Sequence, residues 1–285
     1  MAIDPEPDHE RQIDDAAVER YFDGAGGTTA PAAMSMMTHE HNLPSDSIRY
    51  RLSQELRTIG PWLDAVSEQG RVLDVGCGAG AWVEIFAKRY GSVIGVERSL
   101  AMVEAANERV EYLSNAEVFQ GDGRKDLPSG PFDLVFLGGL CMYLEDADVV
   151  SLLGLLRSRL SEHGTIILRE STVRKGILLA KGEYQAVYRS VDLYQKLFEE
   201  AGIACTAVRQ NPGYTSMTIA EEAVDFRRRW LPLLPKDSVF LNQLTWWVLR
   251  AGAPVCFWAL PRVFSGLNVS WPRLQNHFFR LQLTS

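Results

Sequence analysis

The chain has 285 residues, 46% of them hydrophobic and 23% charged, with a net charge of −7. This ordinary globular composition allows a sizeable core and excludes wholesale disorder. It also lacks the concentrated Lys and Arg excess of a nucleic-acid-binding surface, so no nucleic-acid partner is expected. The four cysteines, Cys77, Cys141, Cys205 and Cys256, form no CxxC pair; neither a metal site nor a disulfide framework is indicated, and a reducing cytoplasm fits best.

The first dozen residues are acidic and proline-rich and lack the basic start and apolar run of a signal peptide. From Asp14 to Pro44 the pattern is irregular: Tyr21-Phe22, glycines at 24, 26 and 27, a Met-rich stretch and Thr38-His39-Glu40-His41. Residues 1–44 read as a tail and a lid of helix and loop. Next, Ser45 or Ser47 can cap a helix in which Ile48, Leu52, Leu56 and Ile59 recur at helical spacing, and Gly60-Pro61 should end it.

From Arg71 the rhythm changes to short apolar runs alternating with amphipathic stretches. Strands are expected at Val72 to Val75, Ser92 to Val96, Ala116 to Gln120, Phe132 to Leu137 and Thr165 to Leu168. Helices are expected between them at Ala81 to Tyr90, Ser99 to Val110 and Asp146 to Leu160, and after the last strand at Val191 to Gly202. This is an α/β, doubly wound, mostly parallel sheet of seven strands. Cys205 to Arg209 and Tyr214 to Ile219 flank Asn211-Pro212-Gly213, a turn sequence, so an antiparallel hairpin should close the sheet near residue 220. Residues 45–220 then form the catalytic domain. Residues 221–285, with five of the seven tryptophans, form a helical extension on the core.

Between the first strand and first helix lies Asp74-Val75-Gly76-Cys77-Gly78-Ala79-Gly80. Such a turn lets a ligand approach the backbone closely. Gly76, Gly78 and Ala81 also satisfy the dinucleotide spacing, so an NAD-linked oxidoreductase stays open. Asp74 discriminates: it would face a pyrophosphate with like charge, whereas S-adenosylmethionine (SAM) carries an ammonium and a sulfonium. Glu97 and Asp122 end the next two strands, where a ribose and an adenine amine could be held.

Val72 to Gly80, Val96-Glu97, Gly121-Asp122 and Phe132 to Phe136 together resemble the successive motifs of class I SAM-dependent methyltransferases. The resemblance implies that Gly76, Gly78 and Gly80 contact the methionine part of SAM, Glu97 the ribose and Asp122 the adenine. Asp74, Cys77, Arg98, Gly123 and Leu137 complete the expected cofactor contacts. A narrower likeness follows: Met142-Tyr143-Leu144, Leu168-Arg169-Glu170-Ser171, Tyr188-Arg189 and Tyr194 to Glu199 are similar to elements of plant phosphoethanolamine N-methyltransferases, with Tyr21-Phe22 a loose counterpart of their N-terminal tyrosine motif.

The acceptor is then a small molecule with an amine or hydroxyl, anionic or phosphorylated if Arg169 and Arg189 reach it. Structural alternatives stand beside these roles: Arg169 with Glu170 reads as a structural ion pair, and Tyr188 as a packing residue. Tyr21 joins the acceptor candidates. Tyr143 positions or deprotonates the acceptor, or else packs at a helix start; His39 and His41 could serve as base, as a metal pair or as a solvated loop. A SAM-binding regulatory or scaffold protein without turnover remains a different class of reading. For the Trp-rich segment three roles stand open: core or homodimer packing, an apolar wall for the acceptor, or peripheral contact with a membrane.

Overall fold

The structure, a computed structural model, describes residues 13–25, 41–231, 233–236 and 238–283. The acidic start, the Met-rich stretch and His39 lie outside them. In chain order, α1 (Asp15–Ala25) and α2 (Ser45–Leu63) precede β1 (Arg71–Val75), α3 (Ala81–Ala87), β2 (Ser92–Glu97), α4 (Leu100–Val110), β3 (Ala116–Gln120) and β4 (Phe132–Leu137). Then come α5 (Asp146–Arg157), β5 (Leu160–Val173), β6 (Ile177–Ala180), β7 (Ala186–Ser190), α6 (Val191–Glu200) and β8 (Ala204–Gln210). Three helices, α7 (Pro212–Trp230), α8 (Val239–Ala251) and α9 (Leu260–Gly266), lead to β9 (Gln275–Gln282).

The strands of the first half are short apolar runs because both faces of the sheet are covered. Side chains alternate between two layers. Val72, Leu134, Phe136 and Ile167 pack with Ile59, Trp62, Phe86 and Val103 of α2, α3 and α4. Leu73, Val75, Val135 and Leu137 pack with Leu152, Leu156, Tyr194 and Phe198 of α5 and α6. Seven strands run β3-β2-β1-β4-β5-β9-β8, and β9 alone is antiparallel to its neighbours. The hairpin of β6 and β7 joins the far end of β5 through Thr172 and Val173. The architecture is therefore the expected Rossmann-like α/β sheet, with an N-terminal helix and C-terminal helices.

Three local expectations change. Helix α2 runs through Gly60-Pro61, because Trp62 and Leu63 beyond it are buried in the core and hold the last turn in place. Its N-cap is Pro44, with no side-chain cap, and the Ser47 hydroxyl donates to the Pro44 carbonyl instead.

Asn211-Pro212-Gly213 starts a helix rather than a turn. The Asn211 side chain accepts from the Tyr214 amide at 3.1 Å, and Pro212 sits in the first turn, where no amide is needed. Thr215 and Thr218 bond back to the carbonyls of Asn211 and Tyr214, which makes this β-branched stretch compatible with a buried helix.

The antiparallel partner expected at Tyr214 to Ile219 is consequently β9. It pairs with β5 from Thr165↔Gln282 to Thr172↔Gln275. The boundary at 220 falls inside α7, and α7 to α9 are an insertion between the last two strands of the sheet.

Candidate active site

The site grows from the turn after β1. Gly76, Gly78 and Gly80 have φ of 69°, 53° and 74°, a region that favours glycine. The Gly76 amide donates to the Val96 carbonyl at 2.8 Å, and the Gly78 amide donates to Glu97 Oε2 at 2.9 Å. Glu97 Oε1 accepts from the amides of Arg98 and Ser99 at 2.8 and 3.0 Å. One carboxylate thus gathers three amides and locks the turn to the end of β2. Gly80 serves packing instead: a Cβ there would stand 2.9 Å from that of Ala106 on α4. Cys77 turns its side chain toward Gly95, and burial pushes its thiol well up, so only its backbone belongs to the turn.

Asp74 is 1% exposed, and its Oδ2 has no hydrogen-bond partner. Burial pushes its carboxyl up to about 8, against the opposing pull of Arg169 and reinforced by Glu97. A buried carboxylate in this state favours a cationic partner.

Beside the turn opens a cavity bordered by Gly76, Glu97, Arg98, Asp122 and Gly123 at the strand tips, and by Leu140 and Tyr143 beyond β4. Leu137 does not reach it; that side chain is fully buried in the core, and Leu140, packed over Gly76, occupies the position. Asp15, Val18, Glu19 and Phe22 of α1 close the cavity from above. Arg98 bonds Glu19 at 2.7 Å, and Arg124 bonds Asp15 at 2.8 Å, which ties α1 to the strand tips.

Arg124 also grips both oxygens of Asp122. Burial raises the Asp122 carboxyl, but the Arg124 side chain and amide outweigh it and hold the group below its ordinary range. Sequence reasoning missed Leu140, Arg124 and the lid residues. The spacing of Asp15, Val18, Glu19 and Phe22 does describe one helical face, but nothing local says which surface that face covers.

Phe22 and Tyr143 line the other side of the cavity, and a tyrosine cluster lies behind Tyr143. Tyr143 lies in a 3₁₀ turn, Cys141–Tyr143, with its hydroxyl 3.2 Å from that of Tyr184. Tyr188 donates to the Tyr184 hydroxyl at 3.0 Å. The Tyr21 ring lies 5.0 Å from Tyr184, and Phe22 lies 5.0 Å from Tyr143. Burial raises the hydroxyls of Tyr143 and Tyr188, so both stay protonated near neutral pH. Tyr143 can position an acceptor by hydrogen bonding, and its raised hydroxyl keeps its proton near neutral pH.

The remaining candidates move away from the acceptor. Arg189 is 1% exposed on β7, not on a loop. Its donors go to Asp146 Oδ1 at 2.6 Å and to the carbonyls of Cys141 and Leu144 at 2.8 and 2.7 Å. It fastens the turn carrying Tyr143 and does not open onto the cavity.

Arg169 donates to the Gly138 carbonyl at 2.6 Å and lies 3.4 Å from buried Glu55. Glu170, the next residue on the strand, faces the opposite layer and accepts from the Cys141 amide at 3.0 Å. The Arg169–Glu170 pair therefore does not form. His41 lies 3.0 Å from Asp225 on α7, held there because Leu43 packs with Met217, Val224 and Trp246; it is not part of the cavity wall.

Residues 72–164 match the family model of a methyltransferase domain. The chain is 32% identical over 102 residues to phosphoethanolamine N-methyltransferase 1 of Caenorhabditis elegans, a match covering 35% of this chain and 21% of that protein. It is 27% identical over 157 residues to trans-aconitate 2-methyltransferase of Rhizobium etli, covering 54% of this chain and 57% of that one. The chain thus spans about a fifth of the first relative's length and little more than half of the second's. Among solved structures, a SAM-dependent methyltransferase of Leishmania major superposes with a TM-score of 0.60 at 17% identity, covering 94% of this chain and 82% of that chain, a likeness of fold. The family match identifies residues 72–164 as a methyltransferase domain, and the ordered acids at the strand tips are those of the class I SAM-dependent kind.

Proposed function

We propose that the protein transfers a methyl group from SAM to an amine or hydroxyl of a small-molecule acceptor. The observation that carries the reading is one continuous cavity, with Glu97 and Asp122 at one end and Tyr143 at the other. Its residues fit the donor. The buried, unsatisfied Asp74 oxygen suits a cation next to the turn, Glu97 suits the ribose hydroxyls, and Asp122 with Gly123 suits the adenine edge. A dinucleotide fits less well, since Asp15, Glu19, Glu97 and Asp122 line the cavity that a pyrophosphate would enter, with Asp74 buried beside the turn.

When bound, SAM supplies an already activated methyl group, so the chain's own work is alignment and exclusion of water. Helix α1 covers the cavity through its ion pairs to Arg98 and Arg124. Phe22 and Tyr143 present their rings to an acceptor, with the linked hydroxyls of Tyr184 and Tyr188 behind them, which favours an amine over an anion. Arg189 and Arg169 bind the protein's own carbonyls and carboxylates, and neither supports the phosphorylated acceptor.

Incubation with methyl-labelled SAM and pooled amines, polar metabolites and lipid extract tests the reading. A labelled amine or hydroxyl product is expected. SAM binding without turnover across that panel would make the protein a non-catalytic binder, and tight NADH binding without SAM binding would overturn the donor assignment.

A further inference from the structure

Helix α8 is amphipathic in the unusual sense. Its inward face carries Asn242 and Trp246, both fully buried, whereas Phe240, Leu244, Trp247 and Val248 recur at helical spacing on the outward face, between 44% and 71% exposed. The same outward character continues on either side. Phe226 and Trp230 stand one turn apart at the end of α7, Leu233 is 97% exposed in the following loop, and Trp258 lies exposed before α9.

A row of exposed apolar side chains of this extent marks an interaction surface rather than scattered surface residues. Between Phe226 and Arg273 the sequence has seven Arg or Lys and one Asp, within a chain of net charge −7. Arg229, Lys236, Arg262 and Arg273 are exposed among the apolar groups, with Arg229 and Arg262 lying over the rings of Trp230 and Trp258.

We propose that the insertion between β8 and β9 docks the enzyme on an anionic membrane surface. Charge complementarity selects this occupant. A second copy would bring the same cationic face against itself, whereas acidic headgroups would neutralise it, and tryptophan and arginine together suit the boundary between headgroup and acyl chain. Among the described residues no helix is long and apolar enough to cross a membrane. The 13 residues of α8 span about 20 Å, so it lies along the surface instead of through it.

Flotation of the whole protein with vesicles tests this independently of catalysis. Vesicles of phosphatidylcholine with 30% phosphatidylglycerol are compared with phosphatidylcholine alone. Partitioning onto the anionic vesicles should be at least about tenfold stronger and should fall as salt rises. The double variant F240S/W247S, and separately R229E/R262E, should each lose about tenfold or more, with thermal midpoint and SAM affinity unchanged. No vesicle binding, or binding indifferent to both variants, would overturn the proposal. So would concentration-dependent dimerisation abolished by F240S/W247S without any vesicle binding, which would assign the face to a second copy.

Discussion

The two ends of the cavity that the proposed function assigns to donor and acceptor are built in different ways. At the donor end, Glu97 closes β2, Asp122 lies just past β3 and Asp74 is buried within β1 beside the turn, and parallel register aligns the tips: Val75 pairs with Val96 and with Leu137. At the acceptor end, Tyr21, Tyr143, Tyr184 and Tyr188 come from a helix, a 3₁₀ turn, a loop and a strand, and meet only through tertiary packing. A site made of consecutive strand tips depends on the sheet. A site gathered from separated segments depends on what fastens them, here Arg189 beneath the Tyr143 turn and the ion pairs holding α1.

The largest effect should come from breaking the donor end. Glu97→Ala removes the acceptor of three amides and the candidate ribose ligand, and SAM affinity should fall about 100-fold in titration calorimetry. Affinity within about threefold of the parent would remove Glu97 from the donor site.

At the acceptor end, Arg189→Met should cost about 3 kcal/mol in urea unfolding, since it strands the buried carbonyls of Cys141 and Leu144, while SAM affinity stays at the parent value. Unchanged stability with a raised acceptor KM would instead restore the direct contact with acceptor that its position after Tyr188 suggested.

Asp74 sharpens the contrast through pH. With its carboxyl raised from 3.8 to about 8, the free chain loses stability as pH climbs from about 4 to about 8, because the charged form is disfavoured by burial. Binding a cation requires that same charged form. SAM affinity should therefore strengthen by up to about tenfold per pH unit below about 8 and level off above it, with proton release on binding at pH 7. Asp74→Asn should flatten both dependences; a pH-dependent affinity that survives the substitution would place the titrating group elsewhere.

The smallest change belongs to Tyr143→Phe, which should lower kcat/KM about fivefold through misplacement of the acceptor, with SAM affinity intact. Because burial keeps the hydroxyl protonated, the pH-rate profile should keep its shape; a lost basic limb would make Tyr143 an acid-base residue after all.

The sequence by itself determined the sheet's first half, the glycine turn and the three acids, because a strand, its turn and the following helix are local in the chain and parallel pairing then places their ends side by side. It also exposed the tryptophan-rich segment as a distinct composition. Only the tertiary structure decided where that segment belongs. Asn211-Pro212-Gly213 has the chemistry of a turn and of a helix start alike, and burial of the α7 face against α2 chose the helix, leaving β9, some sixty residues on, to fill the antiparallel slot. The arginines show the same division. Charge, size and position after a strand are written in the sequence for Arg169 and Arg189, but which carbonyls lie within reach of a guanidinium depends on segments far apart in the chain, and those contacts drew both inward.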